Sequence, residues 1–301
     1  MNHPDPHADE HADRFTLLRP LLFTIAYEIL GSATEADDVL QDSYLRWATV
    51  DLDGVRDTKA YLAQLVTRQA LNTLRAEARR REQYVGPWLP EPLLLDDRDA
   101  SADVVLAESV SMAMLVVLET LSPDERAVFV LREVFGFSHD EIADAVGKST
   151  AAVRQMAHRA REHVQSRRKR FEPVDARQSE QITVRFLTAA ATGDIEGLMA
   201  MLAPDVVFTS DSDGKAKAAR RPVLGSAKVA RLLIGLFSRA GAEYRIQAAT
   251  YNSSPAVIVY RDERPDSVFT IEVIEGKIAN FYAMRNPEKL ASVTVRREIS
   301  R

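Results

Sequence analysis

The chain divides into two parts by the spacing of its apolar residues. From Phe15 to Glu82, and again from Ser101 to Phe171, apolar positions recur every three or four residues, which predicts helices. The first block is interrupted at Gly31 and by a loop near residues 51–57. Between the two blocks, residues 83–100 hold three prolines and one glycine. Because proline breaks a helix, this stretch is predicted to be a linker.

After Pro173 the pattern changes to strand-like runs. Helical spacing persists only in Ser179–Thr192, Ile195–Leu202 and Ala227–Arg239. Runs rich in β-branched and aromatic residues predict strands at Val206–Ser210, Tyr244–Tyr251, Ala256–Arg261, Ser267–Ile274 and Lys277–Met284. Mostly sequential strands accompanied by a few helices predict an α+β domain with an antiparallel sheet.

Residues 138–164 predict two short helices around a turn at Gly147, the pattern of a helix-turn-helix. The second helix places Val153, Met156, Ala157, Ala160 and Val164 on one arc. Its opposite arc carries groups able to bond base edges or phosphates, namely Thr150, Arg154, Gln155, His158, Arg159 and Arg161. This face favours DNA binding, although an amphipathic helix with a solvated basic face has the same pattern.

The helix predicted at Glu35–Ala48 has an apolar inner arc and an acidic outer one. The outer arc holds Asp38, Gln41 and Asp42, with Leu45 set among them. An apolar residue rimmed by charge is typical of a protein–protein hot spot. A single exposed leucine is also commonplace, so both interpretations stay open at this stage.

The helix predicted at Thr58–Glu82 is apolar on two sides, with one narrow polar stripe between them. The stripe is formed by Tyr61, Gln64, Arg68, Asn72, Arg75 and Arg79. Cations interleaved with amide and aromatic groups suit a single nucleic-acid strand with an unstacked base. The edge of a helical bundle would give the same pattern.

The composition of the chain limits which of these interpretations are possible. A chain of 301 residues with 46 % apolar residues has room for two or three domains. It contains no cysteine, which excludes disulfides and thiolate metal sites. Neither a spanning segment nor an export signal is indicated, so a cytoplasmic location is expected. The net charge of −5 argues against nonspecific coating of nucleic acid, although cations cluster at Arg79–Arg81 and Arg167–Arg170.

Taken together, these motifs resemble the bacterial extracytoplasmic-function (ECF) sigma factors, the specificity subunits of RNA polymerase. DDVLQDSYLRW at 37–47 is similar to the region 2 helix that grips the clamp of the polymerase β′ subunit. TKAYLAQLVTRQALNTLRAEARRRE at 58–82 is similar to the segment that melts and reads the −10 element. The stretch 122–164 is similar to region 4, whose second helix enters the −35 major groove.

A narrower resemblance is to the subgroup with a C-terminal SnoaL-like (NTF2-like) domain. WLPEPL at 88–93 matches a linker signature, and NPEKL at 286–290 differs conservatively from the expected NPDKL. DSDGK at 211–215 resembles a DGGGK element, but Ser212 and Asp213 replace two glycines, which puts the backbone geometry carried over there in doubt. The resemblance implies regulatory contacts in cis at Trp88, Leu89, Pro90, Glu91, Pro92, Asp211, Gly214, Lys215, Asn286, Pro287 and Lys289.

The expected fold class is therefore multidomain, with two all-α sigma modules followed by an α+β SnoaL-like domain with a curved, mostly antiparallel sheet. The expected boundaries are a disordered tail at 1–13, region 2 at 14–84, a linker at 85–105, region 4 at 106–171 with its helix-turn-helix at 139–163, a second linker at 172–178, the SnoaL-like domain at 179–293 and a tail at 294–301.

The resemblance also implies partners and residue roles. The −35 element as duplex DNA would be read by Thr150, Arg154, Gln155, His158, Arg159 and Arg161, and the single-stranded −10 element by Tyr61, Arg68, Asn72, Arg75 and Arg79. Core RNA polymerase, through its β′ clamp and β flap, would be bound by Asp38, Gln41, Asp42 and Leu45. An anti-sigma factor or a small ligand on the C-terminal domain is left open, and a monomer is expected when the protein is free.

No catalytic residue, cofactor or metal is expected, and no contact with a membrane. Trp47 is a candidate for stacking on a flipped base, but its inner-arc position favours the core. Two alternatives remain: a stand-alone ligand-sensing helix-turn-helix regulator, and a fusion with an active SnoaL-like cyclase or isomerase. Candidate pocket groups for such an enzyme are Asp205, Asp211, Asp213, Glu272, Tyr251, Tyr260 and Tyr282, with no histidine after His163.

Overall fold

The computed structural model describes residues 6–81, 83–95, 103–167, 176–239 and 241–301. These residues form two compact units. The first comprises Met1–Arg80, Val117–Arg167 and Glu298–Arg301, and the second comprises Arg81–Val116 and Arg168–Arg297. In the part of the chain that is described, no helix is long and apolar enough to cross a membrane.

The helices alternate with short loops in the first half of the chain and accompany a sheet in the second. In chain order they are α1 (Pro6–Leu30), α2 (Ala33–Trp47), α3 (Thr58–Arg81), α4 (Val104–Ser109), α5 (Met112–Leu118), α6 (Pro123–Phe129), α7 (His139–Val146), α8 (Thr150–Arg167), α9 (Ala176–Thr192), α10 (Ile195–Met201), α11 (Ser226–Phe237) and α12 (Pro287–Leu290). A 3₁₀ turn at Leu52–Gly54 follows α2, and a π turn at Val130–Val134 extends α6.

The first unit begins earlier than the sequence pattern predicts. The expected disordered tail is wrong for residues 6–13, because α1 already begins at Pro6, and a proline is tolerated in a first helical turn. The start of α1 is held by His11, whose Nε2 lies 2.8 Å from the Val50 carbonyl oxygen. The His11 carbonyl accepts a hydrogen bond from Trp47 Nε1 at 2.9 Å. Residues 1–5 lie outside the described residues.

The strands of the second unit form one large sheet and one small one. They are β1 (Leu94–Leu95), β2 (Leu202–Asp211), β3 (Val223–Leu224), β4 (Tyr244–Tyr251), β5 (Ser254–Arg261), β6 (Arg264–Ile274), β7 (Lys277–Met284) and β8 (Arg296–Arg297). The large sheet has the order β3-β2-β7-β6-β5-β4. Its neighbours are antiparallel except for β2 and β7, which confirms the predicted α+β class with a mostly antiparallel sheet.

Alternation along the strands gives the sheet two buried faces. On one face, Phe208, Phe269 and Phe281 pack with Phe186 of α9 and Leu233 of α11 in an apolar core. Residues of the opposite face form a second cluster, which comprises Tyr251, Ala256, Ile258, Val268, Tyr282 and Met284 together with Leu89, Met112, Leu290 and Val293. Because Leu89 and Met112 belong to this cluster, the described residues 83–95 and 103–116 fold with the sheet domain.

Two expected boundaries therefore differ from the structure. The predicted linker at 85–105 and the predicted start of region 4 at 106 fall within the second unit, because apolar residues there complete the sheet's second core. The predicted tail at 294–301 is also wrong in part, since β8 pairs in parallel with β1. Residues 96–102, 168–175 and 240 lie outside the described residues.

Candidate nucleic-acid interface

The helix-turn-helix of the first unit is built from local signals that the sequence contains. Ser138 caps α7 in a capping box with Glu141, and Gly147 ends it with φ 69° and ψ 41°. That left-handed conformation is open to glycine at little cost, so the chain can turn sharply into α8. The Ser149 hydroxyl then accepts a hydrogen bond from the Ala152 amide at 3.3 Å at the start of α8.

The polar arc of α8 is exposed as predicted from its spacing. Val153, Met156, Ala157, Ala160 and Val164 are buried. The candidate base-reading residues Arg154, Gln155, His158, Arg159 and Arg161 are exposed, and Thr150 is half-buried. The structure thus places all six candidates of this face on one helix.

Several side chains of this arc are held by acidic neighbours of the first unit. Arg159 contacts Glu125 at 3.2 Å, and Arg161 contacts Glu133 at 2.6 Å. The hydrogen bond from Ser122 and the contact with Arg159 hold the pKa of Glu125 below its usual value. The pKa of Arg161 is raised by its hydrogen bond to Glu133.

Other side chains of the arc pair locally. Thr150 donates to Asp140 at 2.7 Å, and His158 lies 3.5 Å from Glu162. Arg154 and Gln155, in contrast, take part in no ion pair or side-chain hydrogen bond with another described residue. Their donors are therefore available to a ligand on this face.

The polar stripe of α3 contacts the helix-turn-helix part of the same unit. Arg75 Nη2 donates to Asp124 at 2.5 Å, and Arg68 Nη2 donates to the Asp144 carbonyl oxygen at 2.6 Å. Lys148 adds a second cation to Asp124 at 2.9 Å. Burial raises the pKa of Asp124, but the hydrogen bonds from Lys148 and Arg75 outweigh it and hold this pKa below its usual value. Two candidate −10 residues are thus tied to acceptors within the chain.

The remaining candidates of the stripe differ in environment. Asn72 is exposed, whereas Tyr61 is half-buried with its ring 5.7 Å from that of Trp47. Trp47 is fully buried, as its inner-arc position favours, so its ring is not presented to solvent. The side chain of Arg79 lies outside the described residues.

The outer arc of α2 presents an apolar residue among polar ones. Asp38, Gln41 and Asp42 are exposed, and Leu45 is 61 % exposed. On the inner arc Val39, Leu40, Ser43 and Trp47 are buried. The helix is fixed at its start by Ser32, whose hydroxyl accepts from the Glu35 amide at 3.1 Å. The predicted face therefore forms a continuous exposed surface.

In the second unit the linker is fastened to the sheet by a buried ion pair. Asp211, fully buried at the end of β2, accepts from Lys289 Nζ and from the Leu89 amide, both at 2.8 Å. Its other oxygen accepts from the Tyr84 hydroxyl at 2.5 Å. Asn286 Nδ2 donates to the same hydroxyl at 2.8 Å. We call Tyr84, Leu89, Asp211, Asn286 and Lys289 the linker clasp.

Lys289 is the centre of the linker clasp. Its ammonium also donates to the Leu89 carbonyl oxygen at 2.6 Å and lies 3.8 Å from the centre of the Trp88 ring. A cation desolvated over an indole ring is stabilised by the ring quadrupole. Burial and the Asp211 carboxylate raise the pKa of Tyr84, so its hydroxyl remains a donor. The polar groups named here around Asp211 therefore all have hydrogen-bond partners within the clasp.

The DSDGK segment adopts a tight turn despite its missing glycines. Asp213 takes φ 49° and Gly214 φ 68°. The Asp213 carboxylate accepts from the Val85 amide at 3.1 Å and contacts Lys215 at 2.9 Å. A Cβ on Gly214 would meet the Val85 side chain at 3.4 Å. Asp213 thus adopts the left-handed conformation that a glycine would favour and adds contacts that glycine lacks.

The other expected linker residues are also placed on this domain. Pro90, Glu91 and Pro92 are buried and Trp88 is half-buried, whereas Pro287 opens α12 after the cap residue Asn286. Lys215 contacts Glu288 at 2.7 Å.

Two residues of this contact had not been singled out from the sequence. Asn252 accepts from the Leu93 amide and donates to the Val110 carbonyl oxygen, both at 2.8 Å. Its own amide donates to the Leu93 carbonyl oxygen at 2.9 Å. Tyr84 is the second such residue. For Asn252 the sequence offers one signal, the Asn-Ser-Ser turn at 252–254, because a residue with φ 52° in a hairpin is often asparagine.

The candidate pocket groups of an enzyme make several separate contacts in the described residues, and one of these contacts joins two candidates, Tyr282 and Glu272. Asp211 and Asp213 belong to the contacts just described, and the Tyr251 hydroxyl donates to the Val293 carbonyl at 3.1 Å. The Tyr282 hydroxyl donates to Glu272 at 2.9 Å, and Tyr260 lies under Arg245. In the same described part of the chain, no group of three or more His, Asp or Glu residues is arranged to hold a metal.

Comparison with known families gives two matches that agree with this architecture. Sigma-70 region 2 matches residues 15–80, which include α2 and most of α3. Sigma-70 region 4 matches residues 111–164, which include the helix-turn-helix.

Relatives extend the likeness along nearly the whole chain. The ECF RNA polymerase sigma factor SigJ of Mycobacterium tuberculosis is 38 % identical over 287 residues, covering 91 % of each chain. The probable ECF sigma factor SigI of the same species is 27 % identical over 276 residues, covering 90 % of this chain and 92 % of the relative. The crystal structure of SigJ covers 94 % of this chain and 99 % of its own, with 34 % identity and a TM-score of 0.75. On this evidence the chain belongs to the extracytoplasmic-function sigma factors, the promoter-recognising initiation factors of bacterial transcription.

Proposed function

We propose that this sigma factor binds core RNA polymerase through the α2 face and reads a promoter with two surfaces of its first unit. The exposed arc of α8 takes the −35 element as duplex, and the α3 stripe takes the −10 element as a single strand. The observation that carries the proposal is the exposed polar arc of α8, which follows a glycine-ended α7. Such a helix suits a major groove.

At the −35 element, Arg154 and Gln155 are the residues we assign to base edges. Both are exposed and their donors are not used by other described residues. Arginine can bond guanine with two hydrogen bonds, and glutamine can do the same for adenine. We assign His158 and Arg159 to base edges or nearby phosphates, and Thr150 and Arg161 mainly to the DNA backbone.

At the −10 element, the contacts of Arg68 and Arg75 must be replaced by contacts with DNA. Both arginines are exposed, and their partners are Asp124 of α6 and Asp144 of the helix-turn-helix. The proposal therefore requires the α3 stripe to separate from that part when polymerase and DNA bind. A free chain is then a mixture in which the closed arrangement competes with promoter binding.

The polymerase contact is assigned to Leu45 with Asp38, Gln41 and Asp42 around it. Its chemistry supports a hot spot, since a leucine exposed on an acidic helix face gains most by burial against a complementary partner. We further propose that the β′ clamp takes this face and that region 4 meets the β flap. Reading promoters places the protein in the cytoplasm.

The C-terminal domain is proposed to regulate the sigma modules in cis rather than to catalyse a reaction. Support comes from the linker clasp, which joins Leu89 of the linker to Asp211 and Lys289 of the domain. It also comes from the packing of Phe186, Phe208 and Phe281 between the sheet and α9, with ring centres 5.4 to 6.1 Å apart. These apolar side chains supply no acid or base of the kind that catalysis by a related fold would use. A separate anti-sigma partner remains compatible with this proposal.

Footprinting tests the proposal against a stand-alone regulator. The full-length chain is incubated with promoter DNA, alone and with core RNA polymerase. A sigma factor is expected to protect the −35 and −10 elements only when core polymerase is present. Specific protection at equal concentration by the chain alone would contradict the proposal and favour a regulator that binds DNA by itself.

A further inference from the structure

The C-terminal domain carries a strongly basic segment in an otherwise acidic protein. Residues 214–242 contain seven cations and no carboxylate, although the whole chain has a net charge of −5. The cations are Lys215, Lys217, Arg220, Arg221, Lys228, Arg231 and Arg239. Of these seven cations, only Lys215 takes part in the contacts described above. The other six cations therefore have no assigned role.

The first part of this segment lines an open groove. Lys217 and Arg220 are exposed at its wall, and the groove has a volume of about 250 Å³. Its other walls include the small residues Gly86, Gly214 and Ala218, together with Val85 and Pro87. Where these walls carry little side chain, a phosphate group can approach the backbone closely.

The groove has a fixed shape. The Ser210 hydroxyl accepts from the Ala219 amide at 3.0 Å and donates to the Ala219 carbonyl oxygen at 3.1 Å. Arg285 donates to the Lys217 carbonyl oxygen and to Asp266. The backbone of residues 217–219 is therefore held in place while the side chains of Lys217 and Arg220 stay in solvent.

The second part of the segment continues the charge along α11. Val229, Ala230 and Leu233 are buried, and Lys228 and Arg231 lie on the exposed face with Arg239 just beyond the helix end. From Ser226 to Phe237, α11 is on the order of 18 Å long. A duplex of that length carries about ten phosphate charges.

The cations of this surface are not neutralised by the protein. Of the described residues, none forms an ion pair with Lys217, Arg220, Arg221 or Lys228. At the margin of the groove Asp213 is compensated by Lys215 at 2.9 Å. A small anion would engage only the groove, whereas a surface that extends over both the groove loop and α11 fits a polyanion.

We propose that Lys217, Arg220, Arg221, Lys228 and Arg231 form a third DNA-binding surface, which holds the phosphate backbone of duplex DNA without reading its sequence. This goes beyond the assigned −35 and −10 contacts. Its purpose would be to add sequence-independent affinity to two specific readers on the same chain.

Salt dependence of DNA binding tests this surface. The full-length chain is titrated against a labelled 30-bp duplex of random sequence, and the dissociation constant is measured by fluorescence anisotropy between about 50 and 300 mM salt. We compare wild type with K217Q/R220Q/R221Q and with K228Q/R231Q. The control is R261Q/R264Q, because both arginines are exposed on the β5–β6 hairpin of the same domain.

Losing three phosphate contacts should reduce the magnitude of the slope of log K against log salt by about 2 to 3. Losing two contacts should reduce it by about 2. Affinity at the lowest salt should fall about tenfold for the loop variant. The control should match wild type. Unchanged slopes and affinities in both test variants would overturn the proposal. Thermal melts of each variant show that the fold is intact.

Two further outcomes overturn it in favour of another ligand. If the variants bind the duplex normally but lose affinity for core polymerase, the surface meets a protein. If calorimetry shows that inorganic phosphate binds wild type but not the loop variant, and the DNA slopes are unchanged, the groove is a small-anion site. Because the duplex is random, failure here leaves promoter recognition itself untouched.

Discussion

The α3 stripe and the linker clasp are both fastened by ion pairs, but the two differ in exposure. In the first unit Arg75 is 47 % exposed where it meets Asp124. In the second unit Lys289 is 9 % exposed and Asp211 is fully buried. Exposed pairs contribute about 0 to 1 kcal/mol, whereas removing one partner of a buried pair costs about 3 to 5 kcal/mol. Opening the stripe contact should therefore cost little, whereas opening the clasp would leave a buried charge without its partner.

The largest effect is expected from breaking the clasp. Lys289→Ala should lower the free energy of unfolding by about 3 to 5 kcal/mol, because the Asp211 carboxylate would stay buried without its cation. Urea denaturation followed by tryptophan fluorescence measures this directly, since Trp88 lies against Lys289.

Lys215→Ala is the matched control for the clasp, because Lys215 is an exposed lysine that bridges Asp213 and Glu288 beside the same turn. Its loss should cost below about 1 kcal/mol. Equal losses for the two lysines would show that the clasp is no more than a surface contact.

A second prediction tests the proposed polymerase contact of α2. Leu45→Arg should weaken the complex with core RNA polymerase about 100-fold, because it puts a cation in place of the leucine at the centre of the proposed interface. Gel filtration of the mixture measures complex formation. Leu224→Arg is the control, since Leu224 is 60 % exposed and lies in the sheet domain. Normal elution of the Leu45→Arg complex would remove α2 from the interface.

A third prediction concerns the exposed polar arc of α8. Arg154→Ala should reduce promoter affinity of the polymerase complex by about 1 to 3 kcal/mol, and more for the native −35 sequence than for a scrambled one. Arg161→Ala should weaken both sequences alike, because Arg161 is assigned to the backbone. Electrophoretic mobility shifts on the two DNAs measure the difference. If Arg154→Ala loses the same affinity for both DNAs, Arg154 contacts phosphate and does not read base edges.

The smallest effect is expected from the exposed stripe contact. Asp124→Asn should destabilise the first unit by less than about 1 kcal/mol at neutral pH. The pKa of Asp124 is depressed in the folded chain, so its stabilisation is present above its usual pKa near 4 and disappears as pH falls through the depressed value. The difference between the thermal melts of wild type and variant should therefore begin to shrink below about pH 4 and vanish below the depressed pKa. A difference that does not shrink as the pH falls below about 4 would place its origin elsewhere.

The sequence predicted the elements whose signals are local. Periodicity alone placed Val153 and Val164 of α8 in the core and left Arg154 in solvent, because a helix repeats its faces every 3.6 residues. The strands β4 and β7 were predicted with their observed bounds for the same kind of reason. The order of motifs indicated the family.

Contacts between distant residues could not be predicted in this way. Asn252 holds the linker at Leu93, 159 residues away, and Tyr84 meets Asp211 across 127 residues. The start of α1 depends on the fit of His11 against Trp47 and Val50, which outweighs the nearby prolines. The pairing of Arg75 with Asp124 likewise depends on tertiary packing, so the sequence predicted the polar stripe of α3 but not the contact that holds it.

Run-off transcription tests the central claim most directly. Full-length protein is combined with core RNA polymerase on a library of genomic fragments, and the transcripts are mapped. The two-surface account predicts initiation at sites that share one −35 and one −10 sequence, with initiation lost in Leu45→Arg and reduced in Arg154→Ala. Failure to initiate at any fragment, with a polymerase that is active with another sigma factor, would contradict it.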